Sequence, residues 1–546
     1  MLSNAKYKLI VSFNKWRKYQ YKKKTFYFIG FFHKYKDTEI VELLHLATRH
    51  NVKNILKRID GNFAIIFKDA NCFFATVDRI SSYPFIYTIK NNQLYLSDNG
   101  KSIEENLKLN EDDIDYDITS TFAMSGYTTS NNTIYKKIKT FFPGEYVWIE
   151  GKKINFNFYF TWKPWLDIKS SKKNKLKKLN ANIIQKLINS CNGRQIVLPL
   201  SAGWDSRFIA SGLRHLGYTN VICVTYGKDG SNDMQIAKEV AYKLNFKWIK
   251  IKYNKKEIKK IMNTRVYQDY MKACDNLNAI YFMGEFFMLY QLKKKRLIKK
   301  DAIIVNGQSG DFISGNHIPK KIDNNTKSKK IVIEEYIQKH NKYWKILMSN
   351  DRNKLVYKQL TCQMNKLLIK DEGKKINMYG LYEALEFYNR QVKYVINGVS
   401  NYKYFNLDWR MPLWDFEYIQ FWEKAPYCDK KKQNLYKRSI MEDNWANVWK
   451  NIPINPKLKI SNFLSIIRIF FKLFFFTLGK KKWHSFERKY LQYFMDNFYN
   501  FAPWRYIDIL FDKRGHYSPI SWYIGDYLER KKVCWNGKKK LRNKNI

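Results

Sequence analysis

Five residues, Ile196-Val197-Leu198-Pro199-Leu200, run directly into the small polar turn Ser201-Ala202-Gly203-Trp204-Asp205-Ser206. Phe208, Ile209, Gly212, Leu213 and Leu216 follow at helical spacing, and Val221-Ile222-Cys223-Val224-Thr225 is a second apolar run. Strand, helix and strand within some thirty residues make a βαβ unit. Such a unit requires a parallel sheet with helices packed on it, so this part of the chain is α/β. The turn lies between strand and helix, where backbone amides and the positive end of the helix face one point. Small residues at 201–203 let a ligand approach the backbone. Ser201 and Ser206 can donate hydroxyls to an anion. Asp205 beside a phosphate needs a cation between them, which implies Mg²⁺. A plain strand-to-helix turn with Ser201 or Asp205 as a cap is the competing reading.

The flanking segments differ in character. Residues 7–160 are β-rich: Phe63–Phe67, Cys72–Val77 and Phe85–Ile89 are short apolar runs, separated by Lys68-Asp69-Ala70-Asn71 and Ser81-Ser82-Tyr83-Pro84. Beyond about residue 330 the chain is mainly helical. These changes divide it into 1–162, 175–460 and a basic helical extension, 461–546.

With 546 residues, 45% of them hydrophobic, the chain is globular. Its formal net charge of +51 would suit a polyanion. The lysines, however, are spread over the whole length, as a gene's base composition would spread them, so nucleic acid is not the expected partner. An anionic membrane or an acidic substrate stays open. Seven cysteines without a CxxC pair and eight scattered histidines give neither a disulfide framework nor a metal spacing, which fits a cytoplasmic setting. No apolar run at the start has signal-peptide length. The stretch Ser461–Leu478 is very apolar but short of a span, with Arg468 and Lys472 inside it and Lys480–Lys482 after it. It reads as a buried helix or as an interfacial one that makes peripheral membrane contact through 461–482.

The turn resembles the SGGxDS signature of ATP-pyrophosphatases, with Ala202 replacing one glycine, and more closely the synthetase domain of the asparagine synthetase family. Thr225-Tyr226-Gly227 stands where that family contacts adenosine. Asn306-Gly307-Gln308-Ser309-Gly310-Asp311 resembles its second Gly-rich loop, whose Asp helps bind Mg²⁺ and pyrophosphate; Phe312 replaces the family's usual Glu. Asn406–Asp415 (NLDWRMPLWD) resembles its S-L-E-x-R-x-P-F-L-D segment. There Asp408 takes the position of a Glu near the reacting centre, a candidate base, and Arg410 would orient it or hold a carboxylate. Lys457, or Lys459, lies about where the family has a transition-state lysine. Gly61-Asn62-Phe63-Ala64, Asp69, Asp78–Phe85 and Leu96-Ser97 resemble class II glutamine amidotransferases. Their nucleophile is a cysteine at residue one; here Leu2 follows Met1 and the first cysteine is Cys72, so the domain is expected to be a shortened, inactive relative.

The resemblance implies an Ntn-like β-rich sandwich followed by a Rossmann-like parallel α/β ATP-pyrophosphatase domain with a helical C-terminal part. It implies ATP and Mg²⁺ as cofactors. Ser201, Ala202, Gly203, Asp205, Ser206, Thr225, Tyr226, Gly227, Gly307 and Gly310 would hold the nucleotide, and Asp205 and Asp311 the metal. The expected function is an AMP-forming amide ligase acting through an acyl-adenylate on a small-molecule or peptide carboxylate, with ammonia or an amine as nitrogen donor. A tRNA-modifying enzyme of the same loop class and an inactive scaffold are the alternatives.

Overall fold

The computed structural model describes residues 6–12, 15–166, 173–456, 462–495, 499 and 504–535. Among these, ten strands build the N-terminal part: β1 Tyr7–Ile10, β2 Arg17–Tyr21, β3 Lys24–Phe32, β4 Gly61–Lys68, β5 Cys72–Val77, β6 Ile86–Lys90, β7 Gln93–Ser97, β8 Lys139–Thr140, β9 Glu145–Glu150 and β10 Lys153–Phe158. They form a four-stranded sheet, β1-β7-β6-β8, and a six-stranded sheet, β10-β9-β5-β4-β3-β2. Alternate residues of β4 and β5 explain the sandwich. Ala64, Ile66, Phe73 and Ala75 meet Phe85, Leu94 and Leu96 between the sheets. Phe63, Ile65, Phe67 and Phe74 face the other way, where Ile40, Leu44, Val52 and Leu56 cover them from helices Asp37–His45 and Val52–Arg58. β4 is apolar on both faces because it is covered on both.

A third sheet comprises β11 Ile196–Pro199, β12 Val221–Gly227, β13 Lys247–Lys252, β14 Ile303–Val305 and β15 Asp408–Arg410, in the order β13-β12-β11-β14-β15. Every pairing is parallel. The chain runs outward from β11 through β12 to β13, then crosses to β14 on the other side of β11. The order therefore reverses beside β11, and in open α/β sheets ligands bind at such a point, outside the carboxyl ends of the strands. The loop 201–206 stands at that point.

The C-terminal region is less separate than its sequence suggests. Helix Pro519–Arg530 packs back onto the body, with Ile524 and Leu528 fully buried. Tyr527 stacks on Phe122 of the N-terminal part at 5.1 Å and donates to Asp275 Oδ1 at 2.9 Å. Lys531 bridges Glu104 at 2.7 Å and Asp275 at 2.5 Å. Among the described residues, no helix is long and apolar enough to cross a membrane.

Candidate functional site

The first loop is held from several sides. Helix Trp204–His215 begins with Gly203 as its N-cap. The Ser201 amide donates to Ser206 Oγ at 3.1 Å, and the Gly203 amide to Ser201 Oγ at 3.2 Å. The Ala202 amide donates to Asp233 Oδ1 at 2.9 Å. A phosphate oxygen at this turn would replace these side chains as acceptor. Beneath the loop, the buried Arg207 guanidinium donates to the carbonyls of Ala202, Val448, Ile452 and Pro453. The Asn455 amide donates to Ala202 O at 3.1 Å. The segment 448–455 thus braces the loop. Lys457 and Lys459, two and four residues beyond Asn455, lie outside the described residues.

The second loop closes on the first. A methyl group on Gly307 would sit 3.0 Å from the Ser206 amide nitrogen, and one on Gly310 would sit 2.5 Å from Asp205 Oδ1. A side chain at 310 would clash with Asp205, and one at 307 would crowd the Ser206 backbone, so the two glycines let the loops meet this closely. The Asp311 amide donates to Asp205 Oδ2 at 3.0 Å, and the Tyr436 hydroxyl to Asp205 Oδ1 at 2.8 Å. Burial pushes the Asp205 carboxyl up to about 7, and the charge of Asp311 pushes the same way. Two neighbouring carboxylates that repel each other are relieved by a cation, so the residues fit Mg²⁺. Each retains lone pairs beyond its present hydrogen bonds. Among the described residues, no three His, Cys, Asp or Glu side chains group to hold a metal by themselves. Phosphate and water oxygens would complete the shell.

Phe312, in the place of the family's Glu, is a core residue. It is fully buried against Trp162, Trp414 and His317. A different carboxylate serves this corner. His317 Nε2 lies 3.0 Å from Asp311 Oδ2, and its Nδ1 makes a short contact with Glu386 Oε1. The buried Glu386 also meets Lys339, His340, Arg390 and Gln391 at 3.2–3.6 Å. Burial alone would raise the Asp311 carboxyl, but the hydrogen bond and charge of His317 bring it below its ordinary range. Burial would lower His317, but Glu386 and Asp311 raise it to about 9. His317 and Glu386 were not among the expected site residues. The available signal was a helix carrying Glu383, Glu386, Arg390 and Lys393 among apolar neighbours, at the i,i+3 and i,i+4 spacings of partners.

On the other flank, β12 ends at Gly227. Thr225 Oγ1 donates to Leu200 O at 2.9 Å and accepts from Trp248 Nε1 at 3.0 Å, which ties the end of β12 to the first loop. Tyr226 donates to a carboxylate the sequence reading did not single out, Glu285, at 3.4 Å. Glu285 is buried and stands at the residue before helix Phe286–Lys294. It also accepts from Asn306 Nδ2 at 3.3 Å and, in a short bond, from the Tyr402 hydroxyl. Its carboxyl therefore touches the ends of both strands that flank β11. Burial pushes it up to about 7 against three hydrogen bonds that pull it down.

Asp408 is not part of this site. The parallel ladder pairs it with Ile303, and Ile303 with Ile196, so it sits level with the first residue of β11. Ser201 is five residues further along, about 16 Å at ~3.3 Å per residue. The Asp408 carboxylate is exposed and pairs with Arg194 at 2.7 Å. Arg410 is also turned away from the loops: it donates to Ser190 O and Trp409 O and stacks on Phe31 of the N-terminal part, 3.7 Å from the ring centre. Beside it Trp409 stacks on Tyr83 at 5.6 Å. The segment 406–415 is the seam on which the N-terminal part docks.

The same seam explains the first part's motif. Asp78 accepts from the amides of Phe63, Ile80 and Ser82, fixing the turn after β5. Arg79 donates to the carbonyls of Lys57 and Ile59 and lies 3.8 Å over Phe416. Residues 13–160 match the profile of the glutamine amidotransferase domain. That domain is followed by the parallel sheet with its two facing loops. The first part of the chain is thus similar to the glutamine amidotransferase domain. No curated protein sequence matches the chain. Three solved structures are similar to parts of it. The NH3-dependent NAD synthetase from Campylobacter jejuni is 14% identical, with 37% of this chain and 86% of that one covered and a TM-score of 0.20. The glutamine phosphoribosylpyrophosphate amidotransferase from B. subtilis is 8% identical, with 53% and 62% covered and a TM-score of 0.19. The allosteric regulatory enzyme of purine biosynthesis is 10% identical, with 42% and 60% covered and a TM-score of 0.19. The chain thus spans about three fifths of the length of the latter two.

Proposed function

We propose that this chain is an ATP-dependent, AMP-forming amide ligase. The observation that carries the reading is the pair of facing loops at the switch point of the sheet, with Asp205 and Asp311 opposed across them. In this reading the substrate carboxylate attacks the α-phosphate of ATP, giving an acyl-adenylate and pyrophosphate. Loop amides and the start of helix Trp204–His215 hold the phosphates. Mg²⁺, when bound by Asp205 and Asp311, would offset charge on the separating phosphates. Ammonia or an amine then attacks the acyl carbon, AMP leaves, and one proton must be taken from the nitrogen. With Asp408 at the wrong end of the sheet, Glu285 is the carboxylate placed to take it, and a group that titrates near 7 suits the task.

Pyrophosphate release from ATP across a panel of carboxylates and amines tests the ligase; no release with any pair would sink it. For the base, Glu285→Gln keeps the shape and hydrogen-bonding capacity of the side chain. It should slow amide formation by about a hundredfold while pyrophosphate exchange suffers less. In the parent, amide formation should rise with pH and level off above about 7, because only the ionised carboxylate accepts a proton. Asp408→Asn should leave both steps at the parental rate. Loss on Asp408→Asn with none on Glu285→Gln would reverse the assignment.

The amidotransferase domain is read as having no glutaminase activity. Cys72 is the sole cysteine between residues 1 and 162, and burial pushes its thiol up to about 12, leaving little thiolate at neutral pH. Incubation with glutamine should yield no glutamate. Glutamate release, whether or not it survives Cys72→Ser, would overturn this view of the domain.

A further inference from the structure

Helix Asn462–Phe474 (NFLSIIRIFFKLF) has two apolar faces, and only one is covered. The inner face packs on the next helix, Lys480–Phe486: Phe471 meets Phe486 at 4.9 Å, and Phe475, just past the helix end, meets Phe486 at 4.8 Å and Trp483 at 6.0 Å. Arg468 pairs with Glu487 at 2.5 Å on the same side. The outer face carries Phe463, Ile466, Phe470, Leu473 and Phe474, each two thirds or more exposed, and Phe476 beyond the helix end is 86% exposed. At 100° per residue the five helical positions fall within an arc of about 100°. This is a continuous stripe, larger than the scattered apolar residues of an ordinary surface.

The rim of the stripe identifies its occupant. Lys480–Lys482 are exposed at the start of the next helix, a few residues past Phe476, and the chain carries a formal net charge of +51. A second copy would bring the same lysines and the same net charge to the contact, which opposes pairing. An anionic lipid surface offers hydrocarbon for the stripe and phosphates for the lysines. Thirteen residues span about 20 Å, short of the ~30 Å hydrocarbon core, so the helix fits the plane of the interface and not a crossing.

We propose that helix Asn462–Phe474 docks this chain on an anionic lipid surface. Its outer face enters the boundary between headgroups and acyl chains, and Lys480–Lys482 pair with lipid phosphates. The proposal is independent of the ligase reading. The test is co-sedimentation of the full chain with phosphatidylcholine vesicles, with and without phosphatidylglycerol, at rising salt. The parent should bind the phosphatidylglycerol vesicles and lose binding as salt increases. Phe470→Glu with Phe474→Glu should weaken binding at least about tenfold. Lys480→Glu, Lys481→Glu and Lys482→Glu together should remove the preference for phosphatidylglycerol. All these side chains are exposed, so the melting midpoint of each variant should match the parent and separate lost docking from lost fold. Failure of the parent to bind, or equal binding by parent and the Phe470/Phe474 variant, overturns the proposal. So does a dimer in vesicle-free solution that the same variant dissolves, which would assign the stripe to a second copy.

Discussion

Asp205→Ala should reduce pyrophosphate release from ATP by at least about a thousandfold while the protein remains folded. The carboxylate stands where the two loops touch, with Gly310 too close to admit any side chain and Asp311 opposite. Removing it takes away one of two ligands available to a cation between loop and phosphate. The structural cost is mixed. The Tyr436 hydroxyl and the Asp311 amide lose their acceptor, at about 1–3 kcal/mol for each group left unsatisfied. Against that, a carboxylate that repels Asp311 is gone, which offsets part of the loss. Thermal unfolding and pyrophosphate release should therefore separate: a modest change in the first, near-abolition of the second. A variant that releases pyrophosphate at the parental rate would reduce Asp205 to a strut between loops.

Glu386→Ala is expected to do the opposite, costing stability first. The residue is fully buried and is surrounded by His317, His340, Lys339 and Arg390. Burial alone would raise its carboxyl, yet the charges of His317, His340 and Lys339 hold it well below the usual carboxylate range. Deleting this anion leaves Lys339 and Arg390 without its charge and His317 with Asp311 alone. Breaking a buried pair in this way costs about 3–5 kcal/mol, and here several partners lose the same acceptor. The melting midpoint should fall clearly, with Glu386→Gln intermediate because it keeps a hydrogen-bond acceptor. Activity should fall with it, since His317 links Glu386 to Asp311. An unchanged midpoint for Glu386→Ala would show that water reaches these cations and that the network carries little.

The parts of the site that could be read from sequence are those built by neighbours in the chain. Ile196–Leu200, the turn after it and the helix that follows are a local unit, and their hydrophobic periods fix strand, loop and helix without further context. The second loop was legible for the same reason: Gly307, Gly310 and Asp311 act within a few residues. Asp408 and Arg410 were misplaced because the register of β15 against β14 decides which end of the sheet they occupy, and no local pattern encodes that register. Glu285 and Glu386 acquire their meaning only from Tyr226, Asn306, Tyr402, His317 and Arg390, most of them far away in sequence. Phe312 looked like a defect in a metal site and is a plug between Trp162 and Trp414. The apolar run after Ser461 was legible as amphipathic, but which face would stay uncovered depends on the partner helix that returns to meet it.

Helix Pro519–Arg530 gives the biosynthesis of this chain a particular order. Phe122, Gly126 and Glu104 belong to the part made first, and their covering groups Tyr527, Ile524 and Lys531 come some 400 residues later. At ~5–20 residues per second, the ribosome needs roughly 20–80 s to make that interval. Through that time the early sandwich can complete its own two cores while its docking surface stays bare. The joint between the first and second parts is closed by a clasp that emerges after both, so assembly of the whole molecule is a late event, and a nascent chain stalled before residue 519 would present that surface to chaperones.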